Sequence, residues 1–226
     1  MNHQSVPPPA SLLRLAGLAY LLIILAGVSA EAFLRGPLID HSDPAATFAA
    51  INGHAALFRL SIAADLVMAM SDALLAVLLF LIFGPVSLAL SLAALVFRLI
   101  QTAIIAAGLL ALQGAWLLAR ADDADGMLFL LDLHRHGYDH GLVFFAVNCV
   151  LTGLLVIRSG WFARLLGIGL IAAGPVYLAG SLCRFFAPEL LPYVQPAYAV
   201  PLVAESAFCL WLLSGRLRPV AFAARA

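Results

Sequence analysis

The stretch "LFRLSIAADLVMAMSDALLAVLLFLIFGPVSLALSLAALVFRLIQ", residues 57–101, carries the strongest signal for the architecture of this chain. Two long apolar segments flank the short sequence GPVS, and a helix needs about 20 mostly apolar residues to cross a bilayer. Glycine next to proline is typical of a turn. We therefore predict an antiparallel pair of membrane helices, at about 57–83 and 85–118, joined by a tight turn.

Two charged side chains inside this hairpin are predicted to face each other. Asp72 lies thirteen residues before Pro85, and Arg98 lies thirteen residues after it. At 1.5 Å per residue both side chains lie about 20 Å from the turn. A charge inside the bilayer usually has a partner, so we predict an Asp72–Arg98 ion pair, with Gln101 on the same helical face as Arg98. The pair either fixes how the hairpin packs or takes part in chemistry.

A second acid on the same helix has no partner at a matching depth. Asp65 lies seven residues before Asp72, so two helical turns bring both carboxylates to one face. The candidates for its partner are Arg59, from a nearby turn, and Arg98.

The composition places the whole chain in a membrane. The 226 residues are 64% hydrophobic and 11% charged, and the mean hydropathy is +1.06. A soluble domain averages about 45–50% apolar and about 25% charged residues, so this apolar excess is too large for one water-soluble core. We predict a single membrane domain over residues 1–226, embedded in the lipid bilayer. The formal net charge is zero, which argues against a nucleic-acid partner.

The predicted fold is an all-α bundle of six transmembrane helices. The length criterion selects residues of about 11–33, 57–83, 85–118, 133–157, 161–185 and 197–213. The first segment is longer than the apolar region of a signal peptide, so we interpret it as a retained helix. Both termini are predicted to be cytoplasmic, because basic residues favour that side and one side has arginines without acids. These arginines are Arg14, Arg158, Arg164, Arg216, Arg218 and Arg225.

The segment "LDLHRHGYDHGLVFF", residues 131–145, concentrates ionisable side chains just before an apolar run. Asp132, His136 and His140 are spaced four apart and would share one helical face. Two histidines at this spacing can bind a metal ion, although the HExxH motif is absent and Gly137 weakens the helix. The alternatives are a polar functional pocket and an ordinary membrane interface.

Charged side chains crowd one half of the predicted bundle. They come from at least five segments, and unpaired they would be prohibitive in lipid. We therefore predict one water-accessible polar cavity that opens to the outer face, with the Asp72–Arg98 pair as its floor and Asn148 in its wall. The polar residues in this half are Glu31, Arg35, Arg59, Asp65, Asp132, His134, Tyr138, Asp139, Arg184 and Glu205.

Five segments together resemble an uncharacterised bacterial membrane family, domain of unknown function 4386. They are "RLAGLAYLLIILAGVSAEAFLRG", "FRLSIAADLVMAMSDALLAVLLF", "FRLIQTAI", "LDLHRHGYDHGLVFF" and "AESAFCLWLL". The resemblance covers roughly Leu12 to Leu213 and implies a six-span protein of the bacterial inner membrane without an assigned activity. It implies a family pattern of polar residues at Glu31, Arg59, Asp65, Asp72, Arg98, Gln101, His134, Tyr138, Asp139 and Glu205. His136 and His140 depart from this pattern, which favours His134 and Asp139 as the catalytic or metal-ligand candidates.

The leading hypothesis is an outward-facing pocket that binds a small molecule, a lipid headgroup or an ion. The first alternative is an intramembrane lipid hydrolase, with or without a metal, which needs an activated nucleophile or a metal-bound water beside His134. The second is a proton- or ion-coupled transporter that uses Asp65, Asp72 or Glu205, and the third is a structural or partner-binding subunit. The cofactor is unknown, and both a metal and a non-covalent haem stay open.

Overall fold

The computed structural model describes residues 6–218, and within them six helices are long and apolar enough to cross a membrane. The first of them, α1 (Ala10–Val28), continues as a π-helical segment, Ser29–Arg35, and a 3₁₀ turn, Gly36–Leu38. The later helices are α2 (Pro44–Gly53), α3 (Ala55–Phe83), α4 (Leu88–Ala119), α5 (Ala124–Ser159), α6 (Arg164–Phe186), α7 (Leu191–Val194) and α8 (Ala199–Ser214). Two 3₁₀ turns, Pro188–Leu190 and Gln195–Tyr198, flank α7. The predicted all-α, six-helix class is confirmed.

The outer surface of the bundle is apolar, as contact with lipid requires. Large side chains such as Leu110, Leu117 and Leu210 are 74%, 66% and 64% exposed. A water-soluble protein rarely exposes contiguous apolar patches of this kind, and six helices of sufficient length carry them here. The chain is therefore an integral membrane protein, and the lipid bilayer is its environment.

The helix that carries the polar segment begins earlier than the sequence predicts. It starts at Ala124 and not near Leu133, because Asp123 caps its first turn by accepting a hydrogen bond from the backbone N–H of Gly126 at 2.9 Å. A side-chain acceptor at this position satisfies one of the unpaired N–H groups at a helix start. Residues 131–145 therefore lie wholly within α5, without a break at Gly137.

The six long helices close into a ring around the centre of the bundle. Each of them packs mainly against two others, in the order α1, α3, α4, α5, α6, α8 and back to α1. The hairpin of α3 and α4 is one part of this ring. Side chains that point inward from all six helices can consequently meet at the centre.

Apolar clusters close both ends of the ring and leave its middle to polar side chains. At the end where α1 starts and α8 finishes, the fully buried side chains include Phe83, Trp161 and Phe208. At the other end, called the α2 end here, Ile51 of α2 and Phe58 of α3 are fully buried. Of the six arginines predicted to face the cytoplasm, Arg225 lies outside the described residues.

Helices α5 and α6 approach each other through two glycines. A Cβ added to Gly153 would lie 2.5 Å from the carbonyl oxygen of Gly167, and a Cβ added to Gly167 would lie 2.6 Å from that of Gly153. Small residues at such crossings are typical of membrane helices that pack closely. This contact fixes the position of α6, which carries Tyr177 and Arg184 to the centre of the ring.

Candidate functional site

The centre of the ring contains two adjoining cavities. The loop-side cavity, near the α2 end, measures about 400 Å³ and is bordered by Glu31, Arg35, Asp65, His134, Asp139 and Arg184. The central cavity measures about 290 Å³ and is bordered by Asp72, Arg98, Gln101, Tyr138, Tyr177 and Glu205. Met68, Tyr138, Leu142 and Tyr198 border both cavities. The two cavities are therefore direct neighbours that share part of one wall.

Arg98 and Asp72 form a buried ion pair beside the central cavity. The Nε and Nη2 groups of Arg98 donate to Oδ1 of Asp72 at 2.9 and 2.5 Å, and the Thr102 hydroxyl donates to Oδ2. The guanidinium also lies between the rings of Tyr20 and Phe145, at 5.4 and 5.2 Å from their centroids. Aromatic faces attract a cation at this distance. The pair thus ties α3 to α4 with both of its charges matched.

The same guanidinium reaches a third helix through Asn148. The Nη1 group of Arg98 donates to Oδ1 of Asn148 at 3.4 Å, and the Asn148 amide donates to the carbonyl of Ala94 at 2.8 Å. Asn148 borders neither the central nor the loop-side cavity. The prediction that Asn148 lines the polar cavity is therefore wrong, because its amide is turned toward the backbone of α4.

Glu205 of α8 is held by two tyrosines. The Tyr177 hydroxyl donates to Oε1 at 2.5 Å, and the Tyr20 hydroxyl donates to Oε2 at 2.9 Å. Hydrogen bonds to a carboxylate satisfy its lone pairs inside a low-dielectric site. Through Glu205 the three helices α1, α6 and α8 are joined at the level of the Asp72–Arg98 pair.

Beside the central cavity, Gln101 has a buried side-chain oxygen without a partner among the described residues. It is 7% exposed, and its Oε1 atom accepts no hydrogen bond from any part of the chain that the structure describes. Buried side-chain oxygens in folded proteins nearly always have a donor. Because Gln101 borders the central cavity, the missing donor is a group that a ligand in this cavity could supply.

In the loop-side cavity Arg35 bridges two acids. Its guanidinium lies 2.6 Å from Asp65 and 2.6 Å from Glu31, and Arg35 is buried whereas the Glu31 side chain is 72% exposed. The prediction that Arg59 or Arg98 pairs with Asp65 is wrong. Arg59 is exposed and borders neither cavity. The π-helical segment at the end of α1 brings Arg35 against α3 instead.

Asp139 and His134 lie on the α5 side of the loop-side cavity. Asp139 pairs with Arg184, which stands in the last turn of α6. The Nδ1 atom of His134 lies 3.1 Å from the carbonyl oxygen of Gly108. A carbonyl only accepts, so Nδ1 is the protonated nitrogen of the ring, and Nε2 is the hydrogen-bond acceptor of the neutral form. His134 can therefore offer one acceptor at the cavity wall.

The other two histidines of α5 turn toward the backbone of their own helix. The Nδ1 atoms of His136 and His140 lie 2.9 and 2.8 Å from carbonyl oxygens one turn back, and the His140 ring packs on Phe185 at 4.3 Å. Neither histidine borders the two cavities. Within residues 6–218, no group of three or more His, Cys, Asp or Glu side chains could hold a metal ion.

Nearly all of the bundle falls within one known family. No curated protein and no solved structure matches the chain. The family described as "Domain of unknown function (DUF4386)" matches residues 15–215, which include most of α1 and all of α2 to α8. The chain therefore belongs to this family.

Proposed function

We propose that the protein binds a lipid-like molecule and holds its polar headgroup in the loop-side cavity. The observation that carries this proposal is a cavity of about 400 Å³ with charged side chains of both signs, between the helices of a membrane protein. Ligand sites typically have volumes of about 300–1,000 Å³ and a few placed polar groups.

A zwitterionic headgroup fits these charges best. Arg184 has a side chain that is 23% exposed and can still meet a phosphate, whereas Glu31, at 72% exposed, can meet an ammonium group. Their partners, Asp139 and Arg35, are buried and keep the site nearly neutral in its free form. A ligand that carries both signs can join this network without leaving a charge unmatched.

The orientation of the bundle follows from its arginines, as part of the same proposal. Arg14 lies against Gly215 at the end of the ring opposite α2. Arg158, Arg164, Arg216 and Arg218 stand at or next to helix ends on this side, where basic residues favour the cytoplasm. The loop-side cavity would then open toward the outer face of a bacterial inner membrane.

The contacts of the polar side chains favour binding over hydrolysis and transport. A hydrolase needs a nucleophile or a metal-bound water at its base, but His134 is bonded to the Gly108 carbonyl and Asp139 to Arg184. A transporter would move an acid between partners, but both carboxylate oxygens of Asp72 and of Glu205 already accept hydrogen bonds within the bundle. Within the described part of the chain, Asp65 has one donor, the buried guanidinium of Arg35. We therefore propose binding as the function.

Replacing Arg184 by glutamine is expected to weaken binding of a zwitterionic lipid about tenfold. A charge-assisted hydrogen bond to phosphate contributes on the order of 1.5–3 kcal/mol, and about 1.4 kcal/mol is tenfold in affinity. The probe is octyl-ether glycerophosphoethanolamine with a free hydroxyl on its central carbon. It is titrated into the protein in phosphatidylglycerol nanodiscs, where no zwitterionic lipid competes.

Two further variants make this result interpretable. Arg184→Lys keeps the charge and should retain most of the affinity, whereas Arg59→Gln removes an exposed arginine outside both cavities and should change nothing. Thermal melts of all variants check that the fold persists without ligand. Equal affinity of Arg184→Gln and the wild type would refute the proposed function.

A further inference from the structure

We propose that the central cavity is a second subsite, which takes an uncharged hydrogen-bond donor of the same ligand and pairs it with Oε1 of Gln101. The donor is a hydroxyl group next to the headgroup, as on the glycerol of a single-chain lipid. This inference rests on the proposed function, because the ligand enters through the loop-side cavity. The inference goes beyond the proposed function because it names the chemical group of the ligand that the central cavity selects.

The partners of the two acids explain why this group is uncharged. Both carboxylate oxygens of Asp72 accept hydrogen bonds, from Arg98 and Thr102. Both carboxylate oxygens of Glu205 accept hydrogen bonds from tyrosines. A charged ligand group would enter a low-dielectric space in which every opposite charge is already engaged, and burial of an unmatched charge is strongly unfavourable.

Gln101 supplies the specific contact. The Gln101 side chain borders the central cavity, and its buried Oε1 atom receives no donor from residues 6–218. An oxygen of this kind favours a ligand that donates a hydrogen bond over an analogue that does not, because the analogue leaves the oxygen unpaired. The adjoining walls of Ile105 and Leu142 are apolar and suit the carbon skeleton that carries the hydroxyl.

The proposal places one ligand across the wall that the two cavities share. Tyr138 and Met68 border the loop-side cavity and the central cavity alike. In the proposed arrangement the headgroup lies between Arg184 and Glu31, and the next atoms of the molecule lie at this shared wall. In a glycerol-based lipid those atoms carry the hydroxyl.

Two probes that differ by a single hydroxyl test the inference. Octyl-ether glycerophosphoethanolamine and its 2-deoxy analogue are titrated into wild-type protein in phosphatidylglycerol nanodiscs. We expect the hydroxyl-bearing probe to bind about tenfold more tightly, the effect of one satisfied buried acceptor. In Gln101→Leu this preference should disappear, with the affinity for the deoxy probe unchanged.

The control is Gln113→Leu, which removes an exposed glutamine from the same helix outside both cavities and should keep the tenfold preference. Gln101→Met serves as a second apolar variant if leucine impairs folding, and the same loss is expected. Equal binding of the two probes to the wild type, or a preference that survives in Gln101→Leu, overturns the inference. If both probes still depend on Arg184, the proposed function stands alone, whereas failure of both probes to bind overturns both proposals.

Discussion

Replacing Arg98 by leucine is expected to lower the free energy of unfolding by about 3–5 kcal/mol, the usual cost of removing one partner of a buried ion pair. Asp72 is only 4% exposed, and the change would leave its carboxylate with the Thr102 hydroxyl as the remaining donor. The change would also remove the bond from Arg98 to Asn148, one of the two hydrogen bonds that join Asn148 of α5 to α4. Denaturant titration in mixed micelles, followed by tryptophan fluorescence, measures the change.

The double variant Asp72→Leu/Arg98→Leu separates the ion pair from general packing. With both charges gone no carboxylate is left unmatched, so the double variant should be more stable than Arg98→Leu alone. Arg59→Leu, at an exposed position of α3, should change stability by less than about 0.5 kcal/mol. A double variant as unstable as the sum of its single variants would show that the pair is not coupled.

The hairpin shows which contacts a sequence can predict. A helix has a fixed rise per residue, and the recognisable turn gives a common point from which distances along both helices of the hairpin can be counted. That Asp72 and Arg98 lie at the same depth in the hairpin follows from these two facts alone. The structure places the two side chains 2.5 Å apart, and the six-helix class likewise follows from length and hydropathy.

The partner of Asp65 could not be predicted by counting residues from a turn. Arg35 ends the segment that continues α1, and this segment is not joined to α3 by a tight turn, so no common origin relates the depth of Arg35 to that of Asp65. Moreover, the segment Ser29–Arg35 is π-helical, and its wider turn shifts side chains away from the 3.6-residue pattern. The sequence places Arg35 among the polar residues of the outer half of the bundle, but nothing in the sequence indicates which acid it pairs with.

The two tyrosines on Glu205 were missed for a similar reason. Tyr20 and Tyr177 stand in apolar runs of α1 and α6, and nothing in their spacing marks them as hydrogen-bond donors. They meet Glu205 because α8 closes the ring between α1 and α6. The order of helices around a ring depends on packing over the whole chain, which local periodicity does not encode.

Substituting leucine for Gly167 is expected to destabilise the protein by about 3 kcal/mol, at the upper end of the usual effect of overpacking. A Cβ at this position would lie 2.6 Å from the carbonyl oxygen of Gly153 and also 2.6 Å from the side chain of Ile157. The backbone oxygen cannot move aside without displacing α5. The same denaturant titration measures the loss.

Gly137→Ala is the matched control, because it adds a side chain to a glycine in α5 that has no neighbour within 4 Å of its Cβ position. Alanine there should stabilise the helix by about 0.5–1 kcal/mol. Since α6 carries Arg184 and Tyr177, a shifted α6 in Gly167→Leu should also weaken binding of the zwitterionic probe. A Gly167→Leu protein with wild-type stability would contradict the close packing of α5 and α6, whether or not its binding is weakened.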